Sequence, residues 1–166
     1  MNILNNTFVA TVVGTLLAVS VLLSTTKAFA TSITNQLTVD KVEQVMKKGP
    51  QLVIMWSLDC PACFYELDSI AQLLKQHPSL PITLISTDDD PSLSEEISEV
   101  YAEPAFNQIS RLVYSPNQGQ QLRYAIDSTW QGELPRSYYI DQNAKSFGHS
   151  GLLTPKQLKA IIDLIK

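Results

Sequence analysis

Cysteine and histidine are scarce in this chain of 166 residues, which has two of each. Two cysteines cannot make a disulfide-dense scaffold, and a chain long enough for one ordinary domain does not need one. Excess positive charge is also missing. Twelve basic residues stand against 16 acidic ones, a formal charge of −4 that excludes the general basic footprint of a nucleic-acid binder. There is no internal repeat, low-complexity tract or interdomain linker, and the length leaves little room for a second domain. What the chain does have is 45% apolar residues, unevenly spread, and its two cysteines placed close together at Cys60 and Cys63.

Much of the apolar excess sits in residues 8–23 (FVATVVGTLLAVSVLL), a run without charge. Ala28-Phe29-Ala30 follows, the small-x-small pattern that a signal peptidase cuts, so residues 1–30 are expected to be a signal peptide cleaved after Ala30. The segment Met1 to Thr7 has no Lys or Arg, which departs from the usual pattern. The alternative is an uncleaved N-terminal membrane anchor, although a span takes about 20 apolar residues and Thr11, Gly14, Thr15 and Ser20 dilute this run. Cleavage leaves residues 31–166 with 11 basic and 16 acidic residues, a formal charge of −5, and both cysteines. Beyond the membrane the compartment is oxidising, which favours redox chemistry or a disulfide for a close cysteine pair.

The spacing of Val39, Val42, Val45 and Met46 predicts a short helix stopped by Gly49-Pro50. Residues 51–56 (QLVIMW) are a continuous apolar run that suits a strand covered on both faces. Pro61 fits the first turn of a helix, and Phe64, Leu67, Ile70, Ala71 and Leu74 recur at helical spacing up to His77-Pro78. Residues 82–87 predict a second strand ending in Asp88-Asp89-Asp90-Pro91, read as a solvated turn because the other ligands of a calcium loop do not follow. A helix over 92–102 takes Ser92 as its N-cap, with Glu95 and Glu96 in the first turn. A short strand is expected at 111–115, a turn at 116–119 and a helical turn or two at 120–126. Residues 138–140 predict a strand and 146–149 its short partner, and Thr154-Pro155 opens a last helix with Leu158, Ile161, Ile162 and Ile165 on its apolar face. Strands alternating with helices, then a hairpin and a helix, predict an α/β sandwich with a mixed sheet.

The order strand, CPAC, helix gives the two cysteines unequal chemistry. Cys60 stands at a helix start, where unpaired N–H groups and the helix dipole stabilise a thiolate, and Cys63 lies one turn behind it. The first sulfur can attack a disulfide and the second can resolve the mixed disulfide. Half a zinc site is the first competing reading, but zinc wants four ligands and both histidines lie far away in sequence. A purely structural disulfide is the second, although so short a loop constrains the unfolded chain little.

Residues 52–63 (LVIMWSLDCPAC), with Glu66-Leu67 after them, resemble the strand and active-site segment of exported thioredoxin-like proteins of the TlpA, ResA and CcmG branch. Residues 132–141 (GELPRSYYID) resemble that family's second hallmark, a cis-proline loop leading into a strand. The resemblance spans residues 36–166, with a central insertion around 88–126. It implies a thioredoxin fold in which Leu134-Pro135 is cis and faces the cysteines. The backbone of Leu134 would then bond an extended substrate segment in strand fashion, in a groove shared by Trp56, Leu134 and Pro135. It also implies a thiol-disulfide oxidoreductase with Cys60 as nucleophile and Cys63 as resolver, flanking Pro61 and Ala62. Such a protein needs no cofactor beyond its redox-active disulfide and binds no metal. Its partners would be protein dithiols or disulfides and an upstream redox protein, and not nucleic acid. It would be a periplasmic monomer, or one held at the inner membrane if the leader stays.

Departures from the family pattern are informative. Ile54 stands where thioredoxins carry a buried acid, Asp59 where Trp usually precedes the first cysteine, and Phe64 where a basic residue often follows the second. A carboxylate beside Cys60, with no local cation, disfavours its thiolate and predicts a reducing couple. Asp59 has an equal alternative reading as a helix N-cap that organises the turn. Glu133 either relays a proton to Cys63 or is a solvated loop acid, and Glu66 is expected to face solvent or cap the helix. Trp130, like Trp56, reads as core or groove wall. Two other functions stay open: a module delivering copper or another soft metal on CPAC, and an interaction domain whose disulfide is only structural.

Overall fold

The six residues Gln51–Trp56 are all buried, so both faces of this strand must be covered. The computed structural model describes residues 35–165 and does so: it places this strand, β2, inside a six-stranded sheet. In chain order the elements are β1 (Gln36–Leu37), α1 (Val39–Met46), β2 (Gln51–Trp56), α2 (Pro61–Gln76), β3 (Ile82–Ser86) and α3 (Ser94–Tyr101). Then follow β4 (Ser110–Tyr114), α4 (Gly119–Ile126), β5 (Arg136–Ile140), β6 (Ser146–Ser150) and α5 (Pro155–Ile165). The sheet order is β1-β4-β3-β2-β5-β6. β2 is parallel to β3 and antiparallel to β5, giving the mixed sheet that the pattern predicts.

Side chains alternate across β2, and the core divides accordingly. Leu52, Ile54 and Trp56 face a cluster with Leu67, Ile70 and Leu74 of α2, Ile97 and Tyr101 of α3, and Ile162 and Ile165 of α5. Val53 and Met55 face a second cluster with Val42 and Met46 of α1, Leu122 of α4, Trp130 and Tyr138. Burying each such aliphatic side chain stabilises the fold by about 1.5–3 kcal/mol, which makes these clusters its main support. The central segment supplies α3, β4 and α4, and β4 takes the sheet position between β1 and β3. The signal-peptide or anchor expectation for residues 1–30 lies outside the described residues. No helix of the described residues is long and apolar enough to cross a membrane.

Local chemistry moves several boundaries. Ser92 is not a helix N-cap: Asp90 caps a short 3-10 turn at Pro91–Leu93 by accepting from the Ser92 N–H at 2.9 Å, and α3 begins only at Ser94. β5 starts at Arg136 rather than 138 because neighbours pair with it on both sides, Met55 and Ser150 each opposite Arg136. At α5, which opens at Thr154-Pro155 as expected, a reciprocal box forms, Gln157 Oε1 accepting from the Thr154 N–H and Thr154 Oγ1 from the Gln157 N–H. Gly49 does more than stop a helix. A Cβ there would lie 2.0 Å from the backbone oxygen of Asp141, so the α1–β2 turn can pack on the β5–β6 turn only with glycine.

Candidate active site

β2 ends at Trp56, and the next few residues turn the chain into α2. The turn is bound to the end of β3 through Asp88. One carboxylate oxygen of Asp88 accepts from Ser57 Oγ at 2.7 Å, and the other from the Leu58 N–H at 3.1 Å and Ser86 Oγ at 2.8 Å. The acidic turn at 88–90 is therefore more than solvated charge. Asp88 fastens the segment that carries the cysteines, Asp89 accepts from the Gly119 N–H at 2.9 Å, and Asp90 caps its own turn. Their carboxylates diverge. Among the described residues no group of three or more His, Cys, Asp or Glu comes together to hold a metal ion.

Cys60 is the N-cap of α2, with Pro61 in the first turn, and its Sγ accepts from the Cys63 N–H at 3.1 Å. The two cysteines form a disulfide with their Cα atoms 5.3 Å apart. Cys60 is partly exposed and Cys63 wholly buried, so a partner molecule can reach only the first sulfur. Asp59 is exposed and does not cap the helix, since its N–H donates to Ser57 Oγ and the cap position belongs to Cys60. Ala62 is partly buried and Pro61 exposed between the two sulfurs. Trp56, expected in the groove or the core, is in the core: it has no exposed surface, and its Nε1 donates to Tyr101 Oη at 3.1 Å. Tyr101 Oη also accepts from the Ser86 N–H and donates to the Leu112 carbonyl, and burial pushes its hydroxyl far above the usual range. The first turns of α2 expose Phe64 and Tyr65, with Phe64 edge-on to Trp56.

The second part of the site comes from β5. Met55 pairs with Arg136 in antiparallel register, which sets Pro135 and Leu134 beside the end of β2 where the CPAC turn departs. The Leu134-Pro135 peptide is cis, as the resemblance implies, and so is Gly49-Pro50, where the local pattern signals only a helix stop. Pro135 is buried and Leu134 partly exposed. The Glu133 carboxylate is exposed and accepts from Ser150 Oγ at 2.6 Å, and it lies 3.7 Å from Arg136 Nη1. The bond from Ser150, with the nearby Arg136 charge, holds it below the usual carboxylate range. An exposed acid held ionised in this way is a poor proton donor near neutrality. Trp130 is buried in the core and gives its indole N–H to the Glu133 carbonyl at 3.0 Å.

Glu66 departs most from expectation. It neither faces solvent nor caps the helix: only 3% of the residue is exposed, and its carboxylate accepts from the Leu153 N–H at 3.0 Å. Burial raises its carboxyl above the usual range, against the Leu153 N–H and the neighbouring His149, which lower it. It sits one helical turn beyond Cys63, on the face that also carries Leu67 and Ile70. That placement within the apolar stripe is the signal in the sequence for a buried acid. Asp88 carries a signal too, as the first acid beyond the strand next to β2.

No family model matches the chain, and a search of curated proteins finds no match. Solved structures do match. DsbF of Mycobacterium tuberculosis, solved in mixed oxidised and reduced forms, superposes with a TM-score of 0.55 at 16% identity, covering 75% of this chain and 85% of that one. A secreted M. tuberculosis disulfide oxidoreductase described as homologous to E. coli DsbE gives 0.55 at 15% identity, covering 72% and 84%. A thioredoxin-family thiol:disulfide interchange protein from Chlorobium tepidum gives 0.53 at 16%, covering 74% and 83%. With its mixed sheet, its cysteine pair at the head of α2 and the Leu134-Pro135 loop beside it, the chain has the thioredoxin-like fold that these thiol:disulfide proteins share.

Proposed function

We propose that the protein is a thiol-disulfide oxidoreductase that exchanges electrons with partner proteins, in the reducing direction and outside the cytoplasm. The observation that carries this reading is the unequal pair at the start of α2: a disulfide with Cys60 partly exposed and Cys63 buried behind it. In the reduced protein the Cys60 thiolate attacks one sulfur of a substrate disulfide. The substrate S–S bond breaks, one substrate sulfur leaves and takes a proton from water, and a mixed disulfide forms. Cys63 then loses its proton and attacks Cys60 Sγ. The mixed disulfide breaks, the second substrate sulfur leaves with a proton, and the Cys60–Cys63 bond closes. Two electrons have passed to the substrate, and the dithiol of an upstream redox protein restores the pair. Both cysteines and the Leu134-Pro135 loop come from one chain, so a monomer suffices.

Cys63 needs somewhere to send its proton. Ile54 offers no acid in β2, and Glu66, buried one helical turn beyond Cys63, is the acid we assign as acceptor. Asp59 beside Cys60 supports the reducing direction, because a carboxylate there opposes the thiolate that a strongly oxidising pair must stabilise. A reduction potential nearer that of thioredoxin (about −270 mV) than that of DsbA (about −120 mV) is expected, and a value near the latter reverses the direction. Export is supported by the uncharged apolar run at residues 8–23 with Ala28-Phe29-Ala30 after it, and by the fold shared with a secreted disulfide oxidoreductase. Cleavage predicts a mature chain beginning at Thr31 by mass spectrometry, whereas an anchor keeps the full mass in the membrane fraction.

The deciding experiment is trapping. Cys63→Ser leaves the attacking sulfur without a resolver, so proteins joined to Cys60 accumulate in cells and are identified after reduction. A Cys63→Ser variant that captures nothing overturns the protein-disulfide reading.

A further inference from the structure

Leu134 is flanked by residues whose backbone carbonyls are occupied. The Glu133 carbonyl takes the Trp130 indole N–H at 3.0 Å, and the Pro135 carbonyl takes the Gly151 N–H at 2.8 Å. Leu134 itself makes no hydrogen bond among the described residues, and it is partly exposed. A backbone with one free N–H and one free C=O between two fixed carbonyls is a short strand edge, ready to pair with an extended segment.

Side chains fix the same loop from both ends. Arg136, directly after Pro135, has only 13% of its side chain exposed and pairs with Asp127 Oδ2 through Nη2 at 2.9 Å. Its Nη1 donates to Ser150 Oγ at 2.6 Å, and Ser150 Oγ in turn donates to Glu133 Oε1 at 2.6 Å. Tyr138 donates to the same Asp127 oxygen at 3.2 Å and carries the guanidinium over its ring at 4.9 Å. The neighbouring strand makes room for this: Gly148 stands opposite Tyr138, and a Cβ there would lie 2.2 Å from Arg136 Nη2. Such a network is a weak contributor to stability, since it holds a largely buried cation whose Nε has no protein partner. What it does supply is a fixed position for the residues either side of Leu134-Pro135.

We propose that Asp127, Arg136, Ser150 and Glu133 form a clasp that positions the Leu134 backbone as the docking edge for extended protein segments, and so govern recognition of protein disulfides apart from thiol chemistry. The clasp residues are positioning residues. They hold the edge while Cys60 and Cys63 react. The proposal rests on the oxidoreductase reading above and adds to it the side chains that hold the docking backbone in place.

The test compares reduced protein acting on insulin, a protein disulfide, with reduced protein acting on hydroxyethyl disulfide, which has no backbone to pair. Arg136→Met and Ser150→Ala remove charge-assisted bonds, and Gly148→Ala pushes the guanidinium aside while leaving every polar partner in place. Each is expected to slow the reaction with insulin about tenfold more than that with hydroxyethyl disulfide. Amide exchange at Gly151, read by NMR in each folded variant, is expected to quicken at least about fivefold as its bond to the Pro135 carbonyl loosens. Equal loss on both substrates overturns the docking role alone, and unchanged exchange at Gly151 overturns the clasp itself. If the unaltered protein reduces hydroxyethyl disulfide but not insulin, the docking role falls together with the protein-disulfide reading. Ser150 is exposed, so its variant folds even if the Arg136 variant does not.

Discussion

The two halves of the site are held by different means. The CPAC half grows from β2 and α2, whose buried side chains fill the larger core cluster, and Asp88 pins the turn between them. The Leu134-Pro135 half hangs between β5 and β6, where β6 is mostly exposed, and it is held by a charged clasp of Asp127, Arg136, Ser150 and Glu133. Apolar packing fixes position through volume and barely responds to pH, whereas a clasp fixes position through direction and charge. Chemistry and recognition therefore rest on separate supports, and each can be disturbed without the other.

The sharpest way to break that comparison is at the nucleophile. Cys60→Ser should abolish reduction of every disulfide, large or small, while a reduced and alkylated insulin chain still binds the Leu134 edge, as read by NMR shifts at Gly151 and Ser150. If Cys60→Ser also removes that binding, the halves are one unit. Next in size is Asp88→Ala, which leaves Ser57 Oγ and the Leu58 N–H without their partner. It should cost about 1–3 kcal/mol of stability in urea denaturation. It should also shift the Cys60–Cys63 potential measured against glutathione, with amide exchange at Gly151 unchanged. An altered exchange at Gly151 would show that the Asp88 turn also supports the loop.

The same division explains what is legible in the sequence. β2, the cysteines and the apolar face of α2 are contiguous, and their periodicity is strong, so that half of the site can be read from the order of residues alone. The clasp draws on Asp127 at the end of α4, Glu133 and Arg136 around the loop, and Ser150, which the β5–β6 pairing sets opposite Arg136, and no local pattern announces such a set. Trp56 takes the core reading rather than the groove one for a related reason. It ends a strand beside the site, but the alternation along β2 sends it into the core with Leu52 and Ile54. Glu66 reads as a solvent-facing acid because its partner, the Leu153 N–H, lies far along the chain. The 3-10 turn before α3 depends on Asp90 reaching Ser92, a choice between adjacent caps that spacing does not decide.

Glu66 is where the halves touch, since it stands on α2 and bonds the segment that leaves β6. Its carboxyl is raised in the folded protein, chiefly by burial. An acid with a raised folded value binds its proton more tightly folded than unfolded, so stability falls as pH climbs from the ordinary Glu value, about 4.3, through the raised one. Glu66→Gln removes that dependence. Relative to the unaltered protein, the variant should gain stability at pH 7 over its standing at pH 4 in paired denaturation curves. Because Gln cannot accept the Cys63 proton, the resolving step should also slow and lose its pH dependence in that range. A variant with the same stability profile and the same resolution rate would remove Glu66 from both roles and leave Leu153 as a packing contact.

The smallest effect expected is on the clasp at acid pH, and its sign is opposite. Burial pushes the Asp127 carboxyl up, but the bonds from Thr129, Tyr138 and Arg136 outweigh it and hold it below the usual range, and Ser150 holds Glu133 low as well. For carboxyls depressed in the folded state, the contribution is full above the unfolded values, about 3.9 for Asp and 4.3 for Glu, and fades as pH falls below them. Acidification to about pH 3 should therefore quicken amide exchange at Gly151, corrected for the intrinsic pH dependence, while the β2 amides stay protected. Glu133 is half exposed and Asp127 partly exposed, so salt screening should trim the effect further. Equal loosening of β2 and Gly151 at the same pH would mean that the loop is held by the core it borders, and the clasp would then be a consequence of the loop's position rather than its cause.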